Sequence, residues 1–200
     1  MYKGVVDLCG RYSLLVEEDI AELNQIIAEL NNRYHGAKEK MKTGEIFPTN
    51  AAPILMPDRE DIVPELGAWG FPGFRGKGVV INARAETAAE KRMFAKSLRE
   101  RRCVIPSTGF YEWAKNKDKQ KYLFRVPDTP MVYMAGVWNE FEGERRFVIL
   151  TTEPNVSVAD VHNRMPVVLP QGQISAWLTD TDRAMGILRE VPPLLQKIVV

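Results

Sequence analysis

The sequence predicts an α+β fold, one domain in which a curved, largely antiparallel, barrel-like sheet is flanked by helices. Short β-type runs crowd the chain after residue 100: Cys103–Ile105, Tyr122–Val126, Met131–Trp138, Phe147–Thr151 and Pro166–Leu169. Two stretches before or around that point carry helical spacing instead. No repeat, low-complexity tract or linker divides the 200 residues, and a 45% hydrophobic content suffices for one core without disulfides or metals.

Each element has its own signal. Between residues 17 and 34, Ile20, Leu23, Ile27, Leu30 and Tyr34 recur at three- and four-residue intervals with acids between them, which predicts an amphipathic helix. Phe47 to Pro57 contains three prolines and is expected to be irregular or edge-like, because proline donates nothing to a sheet ladder. A second helix is expected from about Thr87 to Arg101, burying Met93, Phe94 and Leu98 and showing Lys91, Arg92, Lys96 and Arg99. The β-type runs come next, closely enough spaced to be neighbouring strands. From Ile174 to Val191 the pattern suits helices again, with Thr179-Asp180-Thr181-Asp182 as a start signal.

Composition removes several function classes. The longest apolar stretch, Met131 to Trp138, is broken by Gly136 and is far too short to span a membrane. Residues 1 to 8 lack the apolar core of a secretory signal, and Asp7-Leu8 does not suit a lipoprotein cleavage site. A cytoplasmic monomer with Cys9 and Cys103 reduced is therefore expected. The two histidines, His35 and His162, and the absence of CxxC or HxxxH spacing predict no metal and no cofactor; His35, in Tyr-His-Gly, reads as a loop residue. Net charge is +1, but residues 75 to 121 hold thirteen Lys and Arg against five Asp and Glu, leaving fourteen against twenty-one elsewhere. That asymmetry reads either as one basic, nucleic-acid-binding surface or as solvated helix and loop faces.

Four clusters carry chemistry: Cys9-Gly10-Arg11, Asn82-Ala83-Arg84-Ala85-Glu86-Thr87, Pro106-Ser107-Thr108-Gly109-Phe110-Tyr111-Glu112-Trp113, and His162-Asn163-Arg164-Met165-Pro166. Glu112 stands between two aromatic residues, a setting that raises a carboxyl pKa and suits an acid–base role. His162 has the one side-chain type that titrates near neutrality unperturbed. Arginines suit phosphates through bidentate hydrogen bonds, and aromatic rings suit bases.

In order and spacing these clusters, with Pro48 to Pro53 and Trp69-Gly70-Phe71, resemble the motif set of the SOS-response-associated peptidase family, from Cys9 to about Leu195. The resemblance implies covalent capture of abasic sites in single-stranded DNA by an N-terminal cysteine. An abasic sugar exposes an aldehyde; an α-amine condenses with it to a Schiff base, and the thiol of the same residue closes a thiazolidine. An α-amine with a pKa of about 7.7 to 8.0 attacks at neutral pH without further activation. By this resemblance Cys9 is the nucleophile, Glu112 opens the sugar and shuttles protons, and His162 assists proton transfer. Asn82 holds the amine or the sugar, Arg11 and Arg84 bind phosphates, and Glu86 orients one of those two arginines. Arg164 belongs to the DNA contacts, and Trp69, Phe71 and Trp113 are placed to stack on bases.

Three departures stand out. The segment Trp69-Gly70-Phe71-Pro72-Gly73-Phe74 is one residue shorter than the family's tryptophan-rich stretch, and Ser107-Thr108 replaces the usual Ala-Asp. Cys9 is preceded by eight residues, so with Leu8 attached its nitrogen is an amide that forms no imine. Residues 1–8 are accordingly expected to be an extension to a domain of residues 9–200. It is removed by self-cleavage, in keeping with the peptidase name, or never translated if Leu8 is a TTG start codon. Two other readings use the same residues: a thiol-dependent peptidase without a DNA role, and a non-catalytic single-strand-binding module.

Overall fold

The computed structural model describes residues 10–17, 20–115 and 119–200; Cys9 and the extension before it lie outside them. Strand β1 (Arg11–Leu14) opens the chain and is followed by helix α1 (Ala21–Arg33), which buries Leu23, Ile26, Ile27 and Leu30. Glu22 in its first turn and Arg33 in its last complement the helix dipole. Tyr34 is extended rather than helical and is 42% exposed, so it ends the apolar stripe instead of continuing it. The one-turn helix α2 (Ala37–Lys40) and β2 (Gly44–Ile46) follow.

The proline-rich stretch departs from expectation: Ala51–Asp58 is β3, a central strand, paired along its full length with β4 (Asp61–Trp69). Its other edge shows why two prolines are tolerated, because there the ladder reduces to the single pair Leu55↔Val104, where few donors are required. Next come β5 (Phe71–Pro72), β6 (Val79–Val80) and β7 (Asn82–Arg84). The long helix expected over 87–101 is two short ones, α3 (Ala85–Ala88) and α4 (Ala95–Glu100). Phe94 and Leu98 are buried as expected, whereas Met93 falls in the break and is exposed.

The remaining strands are β8 (Arg102–Ser107), β9 (Gly109–Trp113), β10 (Lys121–Arg125), β11 (Val132–Phe141), β12 (Glu144–Thr152), β13 (Met165–Pro166) and β14 (Val168–Leu169). Helices α5 (Ile174–Thr179) and α6 (Thr181–Ile187) precede the final strand β15 (Gln196–Val199). Asp180 caps α6 by accepting from the Arg183 amide at 2.9 Å, in the stretch the sequence marks as a start.

Strands β12, β4, β3, β8 and β11 close on themselves in that order as a five-stranded barrel; every junction is antiparallel except β12 against β4. That parallel seam joins only Arg146↔Ala68 and Phe147↔Trp69, after which β7 takes the place of β4 beside β12. A second, all-antiparallel sheet runs β15-β10-β9-β1-β2. The α+β class and the curved, largely antiparallel sheet read from the sequence are thus present, and the closed ring is the mixed element.

Arg102 and Cys103 lie inside this framework. The Arg102 guanidinium donates to the carbonyls of Leu98, Arg99, Trp177 and Leu178, removing it from any basic surface. Cys103 is a free, fully buried thiol, and burial pushes its pKa well above the ordinary thiol value. Among the described residues no helix is long and apolar enough to cross a membrane.

Candidate functional site

The four chemical clusters meet in two pairs. The first pair forms on the second sheet, where β1 lies antiparallel to β9 in the register Arg11↔Tyr111 and Tyr12↔Phe110. Gly10 directly precedes Arg11 in the chain, as Glu112 directly follows Tyr111. Thr108 fixes the register: its hydroxyl donates to the Ser13 hydroxyl at 2.9 Å and accepts from the Leu15 amide at 3.1 Å. Gly109 makes the turn possible at φ +149, since a Cβ there would meet the Leu123 side chain and the Phe124 carbonyl at 2.7 Å each.

Alternation along β9 separates its side chains. Phe110 and Glu112 share the face that Tyr12 turns toward the barrel, and Glu112 is only 4% exposed. Tyr111 and half-buried Trp113 lie on the other face with Arg11. There the Arg11 guanidinium sits 4.6 Å from the Phe47 ring centre and 4.9 Å from that of Trp113, and reaches Glu45 at 3.4 Å.

The second pair forms around the end of β12. Thr151 is the partner of Arg84 on one side and of Pro166 on the other, which brings the Asn82 cluster and the His162 cluster to one strand end. Arg164 ties them together: its two terminal nitrogens bond Glu86 at 2.6 and 2.7 Å, and one also donates to the Thr151 carbonyl at 2.6 Å. This fork holds the Glu86 carboxyl below its usual range, despite some opposing desolvation. His162 is half-buried, and its Nδ1 accepts from the Arg164 amide at 3.2 Å. Arg84 and its neighbour in the cluster, Asn82, occupy alternate positions of β7, Arg84 exposed and Asn82 half-buried.

Trp69 joins the two halves. Its indole donates to the Ile81 carbonyl at 3.0 Å, directly before Asn82, and its ring meets Tyr12 at a centroid distance of 5.2 Å, directly after Arg11. This corrects two sequence expectations. Trp69 and Phe71 are both 0% exposed, so neither ring face is available to a base; they are core residues that set the relation between β1 and β7. A third correction concerns Arg164, whose terminal nitrogens are engaged by Glu86 and Thr151 and whose side chain is 10% exposed, so it frames the site rather than reaching for DNA. Glu86, expected to orient Arg11 or Arg84, is bonded by Arg164 instead.

The structure also supplies an aromatic residue that the sequence reading passed over. Phe74 is 77% exposed between β5 and β6, with the Arg75 guanidinium 5.2 Å from its ring centre. An aromatic flanked by Gly73, Gly76 and two cations in Gly-Phe-Arg-Gly-Lys is the signal that could have found it. Beside Glu86 a cleft of about 670 Å³ opens, lined by Glu86, Glu90, Glu153, Arg189 and Glu190 among others. Among the described residues no group of three or more His, Cys, Asp or Glu could hold a metal ion.

Comparison with known proteins bears on the chain as a whole. Residues 8–197 match the family described as SOS response associated peptidase (SRAP). The abasic site processing protein YoqW of Bacillus subtilis is 33% identical over 204 aligned positions, which span 91% of this chain and 87% of that protein. The abasic site processing protein YobE of the same organism is 32% identical, over 90% of this chain and 88% of its own. A protein of Bordetella bronchiseptica known from its crystal structure superposes with a TM-score of 0.75 at 22% identity, covering 96% of this chain and 99% of that one, a likeness of fold.

Proposed function

The chain belongs to the SOS response associated peptidase family, and on that footing we propose that it captures abasic sites in single-stranded DNA covalently through Cys9. The observation that supports the reading is the β1–β9 register, which pairs Arg11 with Tyr111, the residue before buried Glu112. The open-chain aldehyde of the lesion takes the Cys9 α-amine at C1′, and loss of water leaves a Schiff base. The Cys9 thiol then adds to the imine carbon, its proton passing to nitrogen, and the thiazolidine closes. Glu112 protonates the ring oxygen as the sugar opens and carries the protons of the condensation. His162 assists the same transfers and their reversal, and Asn82 holds the amine or the sugar. From the same imine, removal of a C2′ proton expels the 3′ phosphate by β-elimination, and this strand cleavage is the abasic lyase activity.

Arg11 and Arg84 hold phosphates, while Trp113 and Phe74 offer ring faces to the flanking bases. The amine exists only once residues 1–8 are gone, and autocatalytic cleavage between Leu8 and Cys9 is a route that accords with the family's name. The test is a denaturing gel of protein from its native gene with abasic and intact strands. A species of combined mass with the abasic strand alone is expected; its absence removes the reading, and cleavage of Leu8–Cys9 without any DNA adduct favours the peptidase.

A further inference from the structure

One carboxylate on the outer face of the second sheet holds two cations at once. Glu45 bonds Arg11 from β1 and, through its other oxygen, the ammonium of Lys121 from β10. Strand order places these residues on three different strands, β2, β1 and β10, with β9 between the last two. The Lys121 ammonium lies 4.0 Å from the Tyr111 ring centre and 5.7 Å from that of Trp113, and Arg11 shares the Trp113 ring. Both cations are therefore preset on aromatic faces that do not neutralise them. The carboxylate between them is 32% exposed, accessible enough to be exchanged.

We infer that Arg11 and Lys121 form a single phosphodiester subsite that Glu45 keeps latched, and that a strand phosphate displaces the Glu45 carboxylate on binding. The inference rests on the single-strand reading above and deepens it. Two cations about one acceptor reproduce the charge and donor pattern that a phosphate requires. The aromatic faces of Phe47, Tyr111 and Trp113 retain the two cations after the carboxylate leaves, so no rearrangement of long side chains is needed. Competition from Glu45 lowers affinity for strands that offer only phosphates, and it leaves strands held by the covalent bond unaffected. The latch thereby favours lesions over intact DNA.

The test is fluorescence anisotropy of the full chain with a labelled, intact single strand across a salt series. Glu45→Gln, which keeps the shape and removes the charge, should tighten binding about fivefold and make it more salt-sensitive. Glu45→Gln combined with Lys121→Met should lose that gain. Thermal melts show whether each variant is folded, and Glu45→Ala provides a second removal of the charge. Unchanged or weaker binding in folded Glu45→Gln and Glu45→Ala, with the parent still binding single strands, overturns the latch alone. Failure of every protein, parent included, to bind single strands overturns the DNA reading and the latch with it.

Discussion

Arg11 and Arg164 mark the two halves of the site, and each faces a glutamate, yet one pair is closed and the other open. Arg164 meets Glu86 with both terminal nitrogens at 2.6 and 2.7 Å and has a side chain only 10% exposed. Arg11 meets Glu45 with one nitrogen at 3.4 Å, is 39% exposed, and rests on two aromatic rings instead. The same guanidinium is locked into the frame in one half and left part-exposed in the other. The difference teaches that coordination, not residue type, separates an arginine that builds a site from one that meets a ligand.

That comparison can be broken most forcefully at Glu112, the buried carboxylate of the open half. If the open half does the chemistry and the closed half positions it, Glu112→Gln slows crosslinking to abasic strands by roughly 10²- to 10⁴-fold and leaves the fold intact. Stopped-time denaturing gels measure the rate, and parental kinetics would move the chemistry elsewhere.

The next largest effect concerns stability. Arg164→Met strips the buried Thr151 carbonyl of its donor and should cost about 2 kcal/mol in urea denaturation, whereas Arg11→Met should cost less than about 1 kcal/mol. Equal losses would erase the distinction between frame and contact. A smaller effect is expected from Phe74→Ala, which should weaken binding of intact single strands about tenfold through one lost stacking surface and leave the melting temperature unchanged.

How much of this was legible beforehand depends on whether a feature is local. The four clusters could be read because each is contiguous, and the Asp180 cap could be read because it spans three residues. The burial of Trp69 and Phe71 could not be read, because it follows from barrel closure, in which Trp69 on β4 pairs with Phe147 on β12. The strand Ala51–Asp58 was obscured by its prolines, since only the sparse pairing with β8 reveals that their missing donors are harmless. The break between α3 and α4 likewise hid behind a helical spacing of apolar residues that runs straight through it. Glu45 and Lys121 have no sequence signal at all, because they stand 76 positions apart and meet only across the sheet.

The smallest expected effect is on acid stability. The Glu86 carboxyl is depressed in the folded chain, chiefly by its bond to Arg164. Its contribution is thus present above the carboxylate's unfolded pKa and is lost as pH falls through the lower folded value. With a side chain 42% exposed, the contribution is solvent-screened and amounts to a few tenths of a kcal/mol, about the size expected of exposed pairs. Relative to the parent, Glu86→Gln should flatten the acid limb of stability below about pH 4 by that amount, as read in urea titrations at several pH values. A steeper acid limb in Glu86→Gln would contradict the assigned shift.

The central claim is that both the amine and the thiol of Cys9 trap the lesion. It is tested most directly by peptide mapping of the crosslinked species, using protein expressed from its native gene and abasic single-stranded DNA. The account predicts one modified peptide, beginning at Cys9, whose mass equals peptide plus sugar remnant minus one water. A crosslinked peptide that retains residues 1–8, or an adduct at any other residue, would contradict it.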